Sequence, residues 1–129
     1  MLAVDTNIVV RYVVRDDAAQ SERARRVVES GPVLVTPTVI LESEWVLRSL
    51  YGFSPSEVVT ALEGFCGTPN IEVGEASAVR QALNFAKHGM DFADALHLAQ
   101  AVQCDAFVTF DRKLARKARG VGGVAVRLA

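Results

Sequence analysis

The chain has 129 residues, half of them hydrophobic, with 14 basic and 15 acidic side chains and a formal net charge of −1. That length predicts one domain, residues 1–129, burying roughly two thirds of its unfolded surface, and the near-neutral balance excludes capture of a polyanion by a global basic field. A mean hydropathy of +0.23 is high for a small monomer and predicts apolar surface covered by a second chain.

Leu2-Ala3-Val4 is an apolar run that stops at Asp5-Thr6-Asn7 before Ile8-Val9-Val10. In an α/β protein such a run predicts an inner strand, and its carboxyl end, where Asp5 stands, is where sites are built. A short helix from Asn7 to Val14 follows. Asp17 as N-cap, with Gln20 three residues on, makes a variant capping box opening a helix through Ser30 that Gly31-Pro32 ends. Arg23, Arg25 and Arg26 on that helix read as solvated surface, with contact to phosphates or a partner as the alternative.

Val33-Leu34-Val35 is a second strand, after which Thr36 can cap and Pro37 suits the first helical position. The next helix, Val39 to Leu50, carries Val39, Ile40, Trp45, Val46, Leu47 and Leu50 as its apolar face. On a 3.6-residue period Glu42 shares the side bearing Val39, Trp45 and Val46, while Glu44 points to solvent. Ser54-Pro55-Ser56-Glu57 is a capping box opening a helix to about Phe65. Ile71-Glu72-Val73 is a third strand, and Glu75 to Lys87 a helix closed by His88-Gly89, with His88 as a C-terminal cap.

Asp91 is a natural N-cap for a helix reaching Ala101, with Asp94 beside its start. His97 shares the face of Asp94 and reads as a structural histidine. Ala106-Phe107-Val108-Thr109 is a fourth strand that ends in Phe110-Asp111, repeating the opening pattern of strand then acid. Arg112, Lys113, Arg116, Lys117 and Arg119 form a local basic helix, and Gly120 to Gly123 lead into Val124-Ala125-Val126 as a terminal edge strand.

Cys66 and Cys104 belong to no CxxC or Cys/His pattern and read as reduced thiols. No basic leader precedes an apolar core at the start, and no apolar run approaches the ~20 residues of a membrane span, so a cytoplasmic protein is expected.

The alternation of strands and helix pairs predicts an α/β fold with a mostly parallel central sheet of four to five strands and helices on both faces. Loops after the strands share one edge, so Asp5 and Asp111 are neighbours there if their strands are close, and Glu42 and Asp94 start helices that open on it. Two carboxylates about 4 Å apart repel by roughly 4 kcal/mol at an effective dielectric of 20. A divalent cation removes that repulsion, and all-oxygen ligands select a hard ion, Mg2+ or Mn2+. One or two such ions can activate water and stabilise the leaving oxygen in phosphodiester hydrolysis.

At Val4-Asp5-Thr6-Asn7, Ile40-Leu41-Glu42 with Trp45-Val46-Leu47, Asp91-Phe92-Ala93-Asp94-Ala95-Leu96 and Val108-Thr109-Phe110-Asp111, the sequence resembles the PIN-domain family. It most closely resembles the VapC-like ribonuclease toxins of type II toxin–antitoxin modules, over essentially the whole chain. The resemblance implies a three-layer PIN-like fold in which Asp5, Glu42, Asp94 and Asp111 are the catalytic, metal-binding acids. By the same resemblance Asp91 is an accessory acid, and Asn7 and Thr6 or Thr109 orient water or ligands. It implies an Mg2+- or Mn2+-dependent endoribonuclease acting on RNA, usually a homodimer, inhibited by a cognate antitoxin. RNA capture is left to Arg112, Lys113, Arg116 and the arginines of the early helices.

A haloacid dehalogenase-type phosphatase wants a second Asp where Asn7 stands. A phosphoacceptor receiver domain wants paired acids near the first strand, and Asp16-Asp17 comes too late. The remaining alternative is a catalytically silent PIN-fold interaction module, which would have lost at least one of the acids.

Overall fold

Polar side chains at the helix starts set much of the local structure. The computed structural model describes residues 1–129. Of its seven helices, five begin after a side chain that accepts from a first-turn amide: Asp5, Asp17, Ser54, Asp91 and Asp111. Each satisfies a donor that the helix itself leaves unpaired. At Ser54 both halves of the predicted capping box are made, Glu57 N–H to Ser54 Oγ at 3.2 Å and Ser54 N–H to Glu57 Oε1 at 2.8 Å. Asp17 caps as predicted, but Gln20 does not reach back, because its Oε1 accepts from Arg11 Nε at 2.7 Å. Thr36 makes no side-chain cap bond, and Pro37 supplies the helix start.

The chain forms two compact units, Met1–Ala76 and Ser77–Ala129. In the first, β1 (Leu2–Ala3) leads through α1 (Thr6–Val14) and α2 (Ala18–Glu29) to β2 (Val33–Val35). From there α3 (Pro37–Ser49) and α4 (Pro55–Cys66) lead to β3 (Ile71–Val73). Helical crossovers return each strand in the same direction, so the ladder β1-β2-β3 is parallel, with Leu2 opposite Val33 and Val35 opposite Val73. Val33 and Val35 of β2 are fully buried, and α1 packs on α2 and α3. Within this ladder β1 is an edge strand with both residues exposed, where the sequence predicts an inner one.

The second unit contains α5 (Ala76–Lys87, all but its first residue), α6 (Phe92–Gln100), β4 (Phe107–Thr109), α7 (Arg112–Ala118) and β5 (Val126–Leu128). β4 and β5 pair in parallel, Phe107 opposite Val126 and Thr109 opposite Leu128. The five predicted strands are all present, paired in parallel within a ladder of three and a ladder of two. The last strand starts two residues later than the expected Val124. Gly122 and Gly123 take φ of 78° and 89°, a left-handed turn that side chains resist, and Val124 after them is buried. No helix is long and apolar enough to cross a membrane.

α3 corrects the predicted face. Its buried stripe is Ile40, Ser43, Glu44 and Leu47, a set spaced three and four residues apart. Glu44 is 8% exposed rather than solvated, and Trp45 is 52% exposed rather than in the core. Two local bonds make the polar stripe tolerable: Ser43 Oγ donates to Val39 O at 2.7 Å, and Arg48 Nε donates to Glu44 Oε2 at 2.9 Å.

Candidate active site

In the first unit, Asp5 follows β1 and caps α1, its Oδ1 accepting from Ile8 N–H at 3.4 Å. The next residue, Thr6, is 6% exposed, and its hydroxyl donates to Glu42 Oε1. A buried hydroxyl on α1 thus fixes an exposed carboxylate on α3. Asn7 is exposed on the first turn of α1.

In the second unit, Asp91 caps α6 by accepting from Asp94 N–H at 3.2 Å. Asp111 caps α7, its Oδ1 accepting from Lys113 N–H at 2.9 Å and Leu114 N–H at 3.0 Å. Thr109 Oγ1 accepts from Asp111 N–H at 3.0 Å, so the sequence-predicted Thr109 positions an acid. Asp91, Asp94 and Asp111 line one pocket of about 220 Å³ with Met90, Lys113, Leu114 and Lys117. Burial holds the Asp94 carboxyl above the usual range; Asp91 and Asp111 push it further, against the pull of His97 and Lys117.

Lys117 belongs to the basic helix read from the sequence but not to the narrower RNA-capture set of Arg112, Lys113 and Arg116. Its Nζ donates to Gly89 O at 2.8 Å, which pins it at the pocket wall. The signal was available, since Lys117 lies one helical turn beyond Lys113 and therefore on the same face of α7. Arg112 and Arg116 are exposed on α7 but do not line the pocket. The arginines of α2 behave as surface: Arg25 and Arg26 are bound to Glu22, and Arg25 also to Glu29. His88 Nδ1 donates to Asn84 O at 2.8 Å, as a helix cap should. His97 stacks on Phe107 with ring centroids 6.4 Å apart.

The four acids of the motif fall two to a unit, Asp5 and Glu42 in the first, Asp94 and Asp111 in the second. No three His, Cys, Asp or Glu side chains form a ready-made cation cage. Three of the four hold a local donor, an amide for Asp5 and Asp111 and a hydroxyl for Glu42. The donor chemistry fits a hard cation nonetheless, because every acid of the set offers oxygen and no cysteine lines the acidic pocket.

These features define an α/β protein of parallel strands with carboxylates at strand ends and helix starts. Residues 2–120 match the PIN domain, and the chain belongs to that family. Among solved structures, it is similar to VapC20 of Mycobacterium tuberculosis, described as a toxin cleaving the sarcin-ricin loop. The two share 22% sequence identity with a TM-score of 0.45, over 98% of this chain and 99% of that one. No protein of curated function matches the chain.

Proposed function

We propose that this PIN domain is an endoribonuclease that hydrolyses RNA phosphodiesters with Mg2+ or Mn2+. In this reading it is the toxin of a toxin–antitoxin module, held inactive by a cognate antitoxin. The observation that carries the proposal is the pocket of the second unit, where three carboxylates face two lysines. Carboxylate oxygens suit a hard cation, and lysine ammonium groups suit the phosphate that such a cation would act on.

Asp94 and Asp111 would hold the ion in this pocket, with Asp91 as an accessory acid, and the resemblance gives Asp5 and Glu42 the same metal-binding role. When bound, a divalent ion lowers the pKa of water and stabilises the leaving oxygen. Thr6 keeps Glu42 in one orientation and Thr109 does the same for the backbone of Asp111. Asn7, on the exposed first turn after Asp5, orients water. Lys113 and Lys117 neutralise the scissile phosphate, and Arg112 and Arg116 extend the cationic surface along the RNA.

Trp45 and Leu50, 52% and 68% exposed, supply apolar surface for the proposed homodimer and antitoxin contacts. An RNA substrate and a protein antitoxin assign this activity to the cytoplasm.

The test is purified, antitoxin-free protein incubated with RNA and Mg2+ or Mn2+, with and without chelator. Cleavage should require the metal, and Asp5→Asn and Asp94→Asn should each lower it by at least about 100-fold. Either variant cutting as fast as wild type overturns the assignment.

A further inference from the structure

Phe110 is 89% exposed, the most exposed of the chain's large hydrophobic residues. A ring this exposed is open to a partner outside the fold. Its setting is unusual for a loose surface ring. Thr109 before it receives the Asp111 amide, and the Asp111 carboxylate in turn receives the amides of Lys113 and Leu114. The backbone on the C-terminal side is therefore tied down, and β4 pairing through Thr109 holds the N-terminal side. A ring presented this way has little backbone freedom to lose on binding.

Its neighbours are mixed: Val108 and Leu128, 50% and 44% exposed, lie on its strand side, and charged residues come after it. Asp111, a wall of the acidic pocket, follows directly, and then come the exposed cations Arg112 and Lys113. An aromatic ring interleaved with cations is how single-stranded nucleic acid is held, bases on rings and phosphates on cations. The cations and acidic pocket that follow the ring favour nucleic acid over a protein partner, for which Val108 and Leu128 would supply the apolar surroundings.

We infer that Phe110 is a stacking platform for a nucleobase next to the scissile phosphate, and so a residue that sets which RNA sequences are cut. The inference rests on the endoribonuclease reading. It adds a residue that touches substrate without contributing a metal ligand or a charge.

The experiment is steady-state cleavage, with Mn2+, of short single-stranded RNAs that differ only in the nucleotides flanking the cut. Wild type, Phe110→Ala, Phe110→Leu and Phe110→Trp are compared. Both Ala and Leu should raise KM about tenfold, with the loss falling on KM rather than kcat, and should flatten the base preference. Trp should restore both. Leu matching wild type, or Ala keeping the wild-type KM and preference, overturns the inference. So does a Phe110→Ala protein that is unchanged on RNA but altered in self-association, since the ring would then serve a protein contact. A wild-type protein that cuts no RNA fails the endoribonuclease reading itself, before any variant is compared, and takes this inference with it.

Discussion

The Thr6 hydroxyl donates to the Glu42 carboxylate, joining the first turn of α1 to the second turn of α3. Thr6 is buried and Glu42 exposed, so the fold spends a protected donor on orienting an acid that faces solvent. Thr6→Val keeps the shape and removes the donor. It should lower unfolding free energy by about 1 kcal/mol in urea, since Glu42 regains water when released. Loss of orientation should also weaken Mn2+ binding by about tenfold in a titration, and Thr6→Ser should recover both. A Thr6→Val protein with wild-type stability and metal affinity would show the bond to be incidental.

Asp111 has two separable duties. As N-cap it receives two amides of α7, and as a carboxylate it borders the acidic pocket. Asparagine caps as well as aspartate does, whereas alanine forfeits about 1 kcal/mol. Asp111→Asn should therefore melt like wild type but lose cleavage by at least about 100-fold, and Asp111→Ala should lose both. Full activity in the asparagine variant would confine Asp111 to capping.

The two thiols should differ sharply in reactivity. Burial pushes Cys66 up to about 11, with repulsion from Glu63 adding to it, while Cys104 is exposed. The thiolate is the reactive form, so at pH 8 a thiol shifted this far reacts about 100-fold more slowly than an ordinary one. Timed alkylation followed by peptide mass analysis should find Cys104 modified first and Cys66 far more slowly until the chain unfolds. Equal rates at the two positions would contradict the packing around Cys66.

On α2, the hydrogen bond from Arg25 is the largest influence on Glu22, and with Arg26 it holds that carboxyl down at about 2. A depressed carboxylate stabilises the fold above its unfolded value of about 4.5, and that contribution is lost as pH falls toward 2. Wild type should therefore lose melting temperature across this window more steeply than Glu22→Gln. The difference should be small and should shrink in high salt, because Glu22 and its arginines are exposed. Parallel melting curves from pH 5 to 2 would show that the cluster carries no net stability.

Local chemistry was legible where one residue acts on its near neighbours. Asp17, Ser54, Asp91 and Pro37 start helices as their identities predict, because a cap is satisfied within three or four residues of itself. The strand-then-acid pattern likewise located Asp5 and Asp111. The inward face of α3 was not legible. Hydrophobicity favoured burying Trp45, whereas Ser43 and Glu44 go inside because Val39 O and Arg48 satisfy them. The basic helix was legible too, but which of its cations reach the pocket was not, since Lys117 is held there by the carbonyl of Gly89, 28 residues away in sequence.

Legible in the chain alone were most helix caps, the five strands with their helical crossovers, and the order of the four acids along them. All of these follow from short-range hydrogen bonding and side-chain periodicity. Only the tertiary structure decided that β1 lies at the edge of its ladder and that Thr6 is the group holding Glu42. It likewise gathered Asp91, Asp94 and Asp111 around one pocket with Lys113 and Lys117, and left Phe110 in solvent. Those outcomes depend on which distant groups pack together and which charges they leave uncompensated, and no window along the chain contains both partners.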